Sequence, residues 1–347
     1  MAAPLPLRTK LFALMEGLTG ASIADEPPEA VPARRARRTK LLSSPVGRWV
    51  AGRPHRAAHI VDRTVELQPV EITGLESATV PVTLRLRIYR PSGSAPGPLP
   101  VVVLFHGGGW VLGEPEQDEW WASHMAAESP CVVVSVDYRL APENPYPAAV
   151  FDCWSSLLWV VERAAELGVD ATRVVVAGDS AGGNLAAVVA DLAAQSGLSA
   201  LVGQVLVYPG TEMEDVFPSE REHAEAPVLT SRGMRAFVRL YLDGADPYAP
   251  TAAPLRGSLA GAAIPALIQV AGHDPLRDNG VFYADALREK GGDVTLTEYE
   301  NAVHGYLSLP GVSPPARRAL AETIEFVRRV TNPEISGEPG SQARSDA

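Results

Sequence analysis

The chain has 347 residues, is 46% hydrophobic and carries a net charge of −11 from 30 basic and 41 acidic side chains. That apolar share supports a sizeable core, and the acidic balance argues against nucleic acid or an anionic membrane surface as a partner. There is no run of 18 apolar residues, so no integral membrane segment is expected; an N-terminal apolar run broken early by Glu16 and two cysteines, Cys131 and Cys153, that read as small buried apolar residues make a cytoplasmic location the expectation.

Residues 5–20 and 34–50 read as helical. The segment between them, 20–33, with Pro27, Pro28 and Pro32 and several acids, reads as a flexible connector. The basic cluster Arg34, Arg35, Arg37, Arg38 reads as the solvated face of the second helix. Strand-like segments follow near 64–72, 82–90, 100–106, 131–136, 173–178, 203–208, 266–271 and 293–299. The first two are joined by a short turn and are expected to pair antiparallel at one edge. From the third onward helical patterns alternate with strands, which predicts an α/β chain: an eight-stranded, mostly parallel sheet with helices on both faces. There is no internal repeat.

Gly178-Asp179-Ser180-Ala181-Gly182 carries the most chemistry. It follows the apolar run Val174–Ala177 and precedes a helix-forming stretch from Asn184. A Gly-x-Ser-x-Gly between strand and helix is a nucleophile elbow, in which small neighbours let strand and helix approach while the hydroxyl is held clear of the sheet. Ser180 is therefore the candidate nucleophile of a serine hydrolase. Upstream, His106-Gly107-Gly108-Gly109-Trp110 follows another buried strand, Pro100–Phe105. Consecutive glycines leave backbone N–H groups free to face a cavity, as an oxyanion hole requires. Gly108, Gly109 and Ala181 are the candidate donors, and His106 and Gly107 are expected to brace the loop.

A serine hydroxyl needs a base, and in this architecture an acid and a histidine follow it in that order. Asp274 follows the strand-like 265–272 and His304 follows 294–299, each in a loop at the same sheet edge. Asp278 competes for the acid role but sits where it could cap the next helix. His273 would share a tight loop with the acid, and His223 lies earlier in a polar stretch. Asp137, Arg139 and Glu143, near the end of strand 132–136, are expected to form a buried ion-pair network with a structural role.

Together HGGGW at 106–110, DYRLAPENPYPAA at 137–149, GDSAGG at 178–183, DPLRD at 274–278 and HGY at 304–306 resemble the hormone-sensitive-lipase-like bacterial esterases of the α/β-hydrolase superfamily, over roughly residues 65–330. Asp179 is characteristic of the subgroup with Asp beside the serine, and Tyr306 stands where many relatives have Phe. The resemblance implies hydrolysis of short- to medium-chain carboxylic esters without metal or cofactor. It also implies a helical cap made from the N-terminal segment, 1–60, and an insertion at about 211–245, over a catalytic domain spanning 61–331. Within the insertion Thr230 is a plausible cap for a helix running to Leu242. Val228, Leu229, Met234, Phe237 and Val238 either face the pocket or pack on the core. Trp110, Tyr208 and Tyr306 are expected to line the acyl or alcohol side. Residues 332–347 are expected to be a disordered tail. Amide hydrolysis, a long-chain lipase and a non-catalytic small-molecule receptor remain the alternatives, and pairing of an exposed edge strand or helix into a homodimer stays open.

Overall fold

The computed structural model describes residues 3–19, 22–76, 80–93 and 97–332. Eight strands form one sheet in the order β1-β2-β4-β3-β5-β6-β7-β8. They are β1 (Ala58–Leu67), β2 (Val82–Pro91), β3 (Leu99–Phe105), β4 (Val132–Asp137), β5 (Val169–Asp179), β6 (Leu201–Val207), β7 (Ala266–His273) and β8 (Val294–Val303). β2 pairs antiparallel with both β1 and β4; every other pairing is parallel. The helices are α1 (Leu7–Thr19), α2 (Val31–Leu42), α3 (Pro45–Ala51), α4 (Glu119–Glu128), α5 (Ala148–Glu162), α6 (Ala164–Leu167), α7 (Ala181–Gln195), α8 (Pro218–Glu222), α9 (Ser231–Leu242), α10 (Arg277–Glu289) and α11 (Pro315–Thr331).

Because strand side chains alternate between faces, the central strands split cleanly between two cores. Val101, Val103, Phe105, Val174, Val176 and Ile268 face the side covered by α5, α7 and α10. Val102, Leu104, Val175, Ala177 and Leu267 face the side covered by α4 and α11, where Trp121, Met125, Leu320 and Val327 meet them. A strand buried on both faces must be apolar at every position, which is why 100–105 and 174–177 read as unbroken hydrophobic runs. Cys131 and Cys153 are free and buried, and burial pushes the Cys131 thiol up to about 12, so both behave as small apolar residues.

Several sequence expectations are corrected. The first strand runs 58–67 rather than 64–72: its ladder with β2 ends at Leu67 opposite Val82, and Pro69 has no N–H to extend it. The second helix divides. α2 ends at Leu42, and α3 starts afresh at Pro45, with the Ser44 hydroxyl accepting the Gly47 N–H at 3.0 Å. Residues 22–33 are not a loose connector. Two 3-10 turns, Ile23–Asp25 and Pro28–Ala30, lead directly into α2, and Ile23 and Val31 are buried with Val111, Leu112, Ala141 and Ala236. The arginine cluster is an anchor rather than a solvated face. Arg35 forks onto Glu143 at 2.8 Å and donates to the carbonyls of Val111 and Ala141; Arg34 and Arg37 pair with Glu26; Arg38 donates to Gln117 at 3.0 Å. Asp137, Arg139 and Glu143 do not bind one another. Asp137 joins Arg85, which also binds Glu116 and Asp62; Arg139 pairs with the buried Asp152, and Glu143 pairs with Arg35, so the three residues go to three different sets of partners instead of the expected network among themselves.

After β6 the chain leaves the sheet for α8 and α9. Thr230 caps α9, its hydroxyl accepting the Gly233 N–H at 3.1 Å. No helix among the described residues is long and apolar enough to cross a membrane, and the expected tail beyond Asn332 lies outside the described residues.

Candidate active site

Ser180 sits at the joint of β5 and α7 with φ 54° and ψ −115°, a backbone region that side chains rarely adopt. The flanking glycines make the turn possible. A Cβ on Gly178 would lie 2.1 Å from the Gly182 carbonyl oxygen, and one on Gly182 would lie 1.9 Å from the Phe105 carbonyl oxygen. The Ser180 N–H donates to the Val207 carbonyl at 2.8 Å, tying the turn to β6. The first turn of α7 begins at the next residue, so the positive end of the helix dipole lies at the serine.

Asp274 leaves the end of β7 and His304 the end of β8, and the loops bring both to Ser180. His304 Nδ1 is 2.7 Å from Asp274 Oδ2, and His304 Nε2 is 2.8 Å from Ser180 Oγ. With the carboxylate accepting at Nδ1–H, the hydrogen-bond network assigns Nε2 as the acceptor for the serine hydroxyl. The second Asp274 oxygen accepts the Leu276 N–H at 2.8 Å, so the carboxylate is fixed at both ends and fully buried. Ser180 and His304 are nearly buried, at 9% and 7% exposure. The competing residues are engaged elsewhere. Asp278 accepts the Ser219 N–H at 2.8 Å and pairs with Arg277, joining α10 to α8; the His273 ring contacts the Ala3 carbonyl and lies 5.8 Å from His223.

The glycine loop lies alongside. Gly108 has φ 124° and Gly109 φ 64°, both in the region that favours glycine. Among the described residues no backbone acceptor takes the N–H of Gly108, Gly109 or Ala181. His106 is buried and stacked on Tyr138 with ring centroids 4.3 Å apart; its Nδ1 bonds the Gly107 carbonyl at 2.9 Å, and burial lowers its pKa to about 4. It braces the loop as a neutral ring, together with Gln117, which donates to the same carbonyl at 3.1 Å.

Beneath the elbow lies a feature the sequence did not signal. Asp179 and Asp118 are both buried, and both carboxyls are pushed up by burial, with Asp118 also raising Asp179. The Arg38 charge from α2 favours their ionised forms, the Gly107 N–H bonds Asp179, and the Ser308 hydroxyl donates to Asp118 at 3.0 Å. Nothing in Pro115-Glu116-Gln117-Asp118 marks one acid as buried, because the contacts come from segments far away in sequence. Asp118 rises to about 6 from 3.8, so the folded state holds this proton more tightly than the unfolded chain. The stability it contributes is complete below about pH 4 and is lost as pH rises through about 6. Asp118→Asn should therefore show a smaller drop in urea midpoint between pH 4 and pH 7 than wild type; an equal or larger drop would contradict the assignment.

The aromatic residues differ from expectation. Tyr208 and Tyr306 have no exposed surface; they back His304 rather than line a cavity, with Tyr208 4.8 Å from the imidazole and 5.0 Å from Tyr306. Trp110 is stacked on Tyr241 at 4.5 Å. From α9, Phe237 is the side chain over the glycine loop: a Cβ on Gly109 would lie 2.4 Å from its Cγ. Val228 approaches Gly305 beside His304, whereas Leu229 is buried and Val238 packs on the core. Leu276, the residue after Pro275, is the near neighbour of Gly210 and was not singled out in sequence. Among the described residues no three His, Cys, Asp or Glu side chains gather as a metal site.

The family described as the alpha/beta hydrolase fold matches residues 102–308. A carboxylesterase, NlhH, of Mycobacterium tuberculosis is 45% identical over 236 residues, covering 67% of this chain and 74% of its own. Esterase LipI of the same organism is 40% identical over 267 residues, covering 76% and 83%. Among solved structures, a thermostable esterase from Pseudomonas putida superposes with a TM-score of 0.83 at 30% identity, covering 96% of this chain and 99% of the other. A hyperthermophilic esterase from Pyrobaculum calidifontis gives 0.79 at 32% identity, covering 94% and 98%. With the strand order, the elbow and these likenesses in agreement, the chain belongs to the hormone-sensitive-lipase-like esterase branch of the α/β-hydrolases.

Proposed function

We propose that this protein is a serine carboxylesterase acting on short- to medium-chain esters, with Ser180 as nucleophile, His304 as general base and acid, and Asp274 as the residue that orients and stabilises the imidazole. The observation that carries the reading is the unbroken hydrogen-bonded series Ser180–His304–Asp274 at 2.8 and 2.7 Å. Ser180 Oγ attacks the ester carbonyl carbon while its proton passes to His304 Nε2. The carbonyl oxygen becomes an oxyanion held by the N–H groups of Gly108, Gly109 and Ala181, each such donor contributing about 2.7–4 kcal/mol in the transition state. Collapse breaks the ester C–O bond, and His304 returns the proton to the departing alcohol. A water activated by His304 then attacks the acyl-enzyme, releasing the carboxylic acid and regenerating Ser180. Asp274 does not itself take the proton; it holds the imidazole in place and stabilises the imidazolium.

The N-terminal helices and the 211–245 insertion form the cap in this proposal. Ile23 and Val31 pack with Ala236 next to the glycine loop, and Phe237 presses on Gly109, so the room for an acyl chain is short. A p-nitrophenyl series from acetate to palmitate should peak at the short end, and Phe237→Ala should move the optimum to longer chains. A wild-type optimum at palmitate would favour a lipase, and faster cleavage of an anilide than of the ester with the same acyl group would favour an amidase.

A further inference from the structure

The four guanidiniums of Arg8, Arg53, Arg56 and Arg317 and the indoles of Trp49 and Trp120 surround a cavity of about 820 Å³ between the N-terminal segment and the face carrying α4 and α11. We propose that it binds a phosphorylated organic anion with a flat aromatic body, of the nucleotide class. No residue of the Ser180 site lines it, and no acid does either. Among the described residues none of the four arginines has a carboxylate partner. In a chain of net charge −11, such a gathering of cations is a local reversal of sign. One carboxylate would satisfy one guanidinium fork; four forks call for an anion with several charged oxygens, and phosphate groups match guanidinium geometry bidentately.

The walls are built rather than incidental. Gly52, at φ 80°, seats the loop against its neighbours: a Cβ there would lie 2.7 Å from Trp120 Cδ1 and 2.8 Å from Pro310 Cγ. The Gly311 N–H bonds the Val50 carbonyl at 3.0 Å, and the His55 N–H bonds the Ser123 hydroxyl at 2.8 Å, so both loops are pinned. His55 Nδ1 accepts the Ala57 N–H at 3.1 Å, which leaves its Nε2–H as a further donor. The aromatic requirement comes from Trp49, which is 56% exposed while Trp110, Trp120, Trp121 and Trp154 are buried. An exposed indole at the rim of a cationic cavity offers a stacking face to a base. The volume falls in the range of about 300–1,000 Å³ that small-molecule sites occupy.

Calorimetric titration of the full chain with ADP, pyrophosphate and adenosine tests this. ADP should bind at micromolar concentrations, pyrophosphate about tenfold more weakly for want of the stacked base, and adenosine not measurably. Raising the salt should weaken ADP. Trp49→Leu should reduce ADP to the level of pyrophosphate. The double variant Arg53→Ser/Arg317→Ser should abolish binding of both while hydrolysing p-nitrophenyl acetate like wild type, which shows that it folds. Equal affinity for ADP and pyrophosphate, no binding of either at millimolar concentration, or binding indifferent to these substitutions would overturn the proposal.

Discussion

Ser180→Ala should lower kcat for p-nitrophenyl acetate by at least about 10⁴-fold while leaving the folded structure intact, because the proposed mechanism passes the acyl group through this hydroxyl. The Ser180 side chain makes one hydrogen bond, to His304 Nε2, and is itself nearly buried, so alanine fills the same space and leaves no unmet polar group beyond the imidazole tip. Rapid mixing separates chemistry from binding. Wild type should release one p-nitrophenol per chain wherever deacylation is the slow step, and the variant should release none. His304→Ala should cost nearly as much, and the double variant little more than either single one, since the two residues act as a unit. Asp274→Asn should keep the geometry yet fall by about 10⁴-fold, because an amide in place of the carboxylate favours the wrong tautomer. A Ser180→Ala protein that keeps more than a trace of turnover would mean that another nucleophile acts.

The residues of the candidate site were legible in the sequence because each sits in a local pattern of its own, although the fold brings them together from positions up to 124 apart. Strand, turn and helix around Ser180 occupy consecutive residues; Asp274 follows the buried apolar run of β7, and His304 follows the alternating, half-exposed edge strand β8. The alternation of such runs with helices also gave the parallel part of the sheet. Edge and surface elements were less legible. β1 begins in Ala-His-Ile-Val-Asp-Arg, a half-exposed stretch at the sheet edge whose apolar residues do not alternate regularly with polar ones. The role of Arg35 and Arg38 could not be read, because their partners lie 108 and 79 positions away and a row of arginines on a helix looks the same whether it faces water or Glu143. Tyr208 and Tyr306 follow strand ends, as pocket residues do, but local sequence does not say whether such a ring turns outward or in behind the histidine.

The largest effect on stability should come from Gly182→Ala. The added Cβ would sit 1.9 Å from the Phe105 carbonyl oxygen and 2.7 Å from that of His106, both backbone atoms of the β3 end that carries the glycine loop. Neither can swing aside as a side chain could, since Phe105 is held in the sheet between β4 and β5. Relief requires α7 to lift off β3, and α7 buries Leu185, Ala186, Val188, Val189 and Ala190 in the main core. The cost should therefore exceed the usual overpacking range of about 1–3 kcal/mol. Gly197→Ala is the control. Gly197 has φ 72° but nothing within 4 Å of the new methyl, so it should show backbone strain alone, about 1–2 kcal/mol. Urea unfolding of the two variants beside wild type compares them directly. If Gly182→Ala unfolds no more readily than Gly197→Ala, the close approach of helix and strand is not what holds the elbow in its strained conformation.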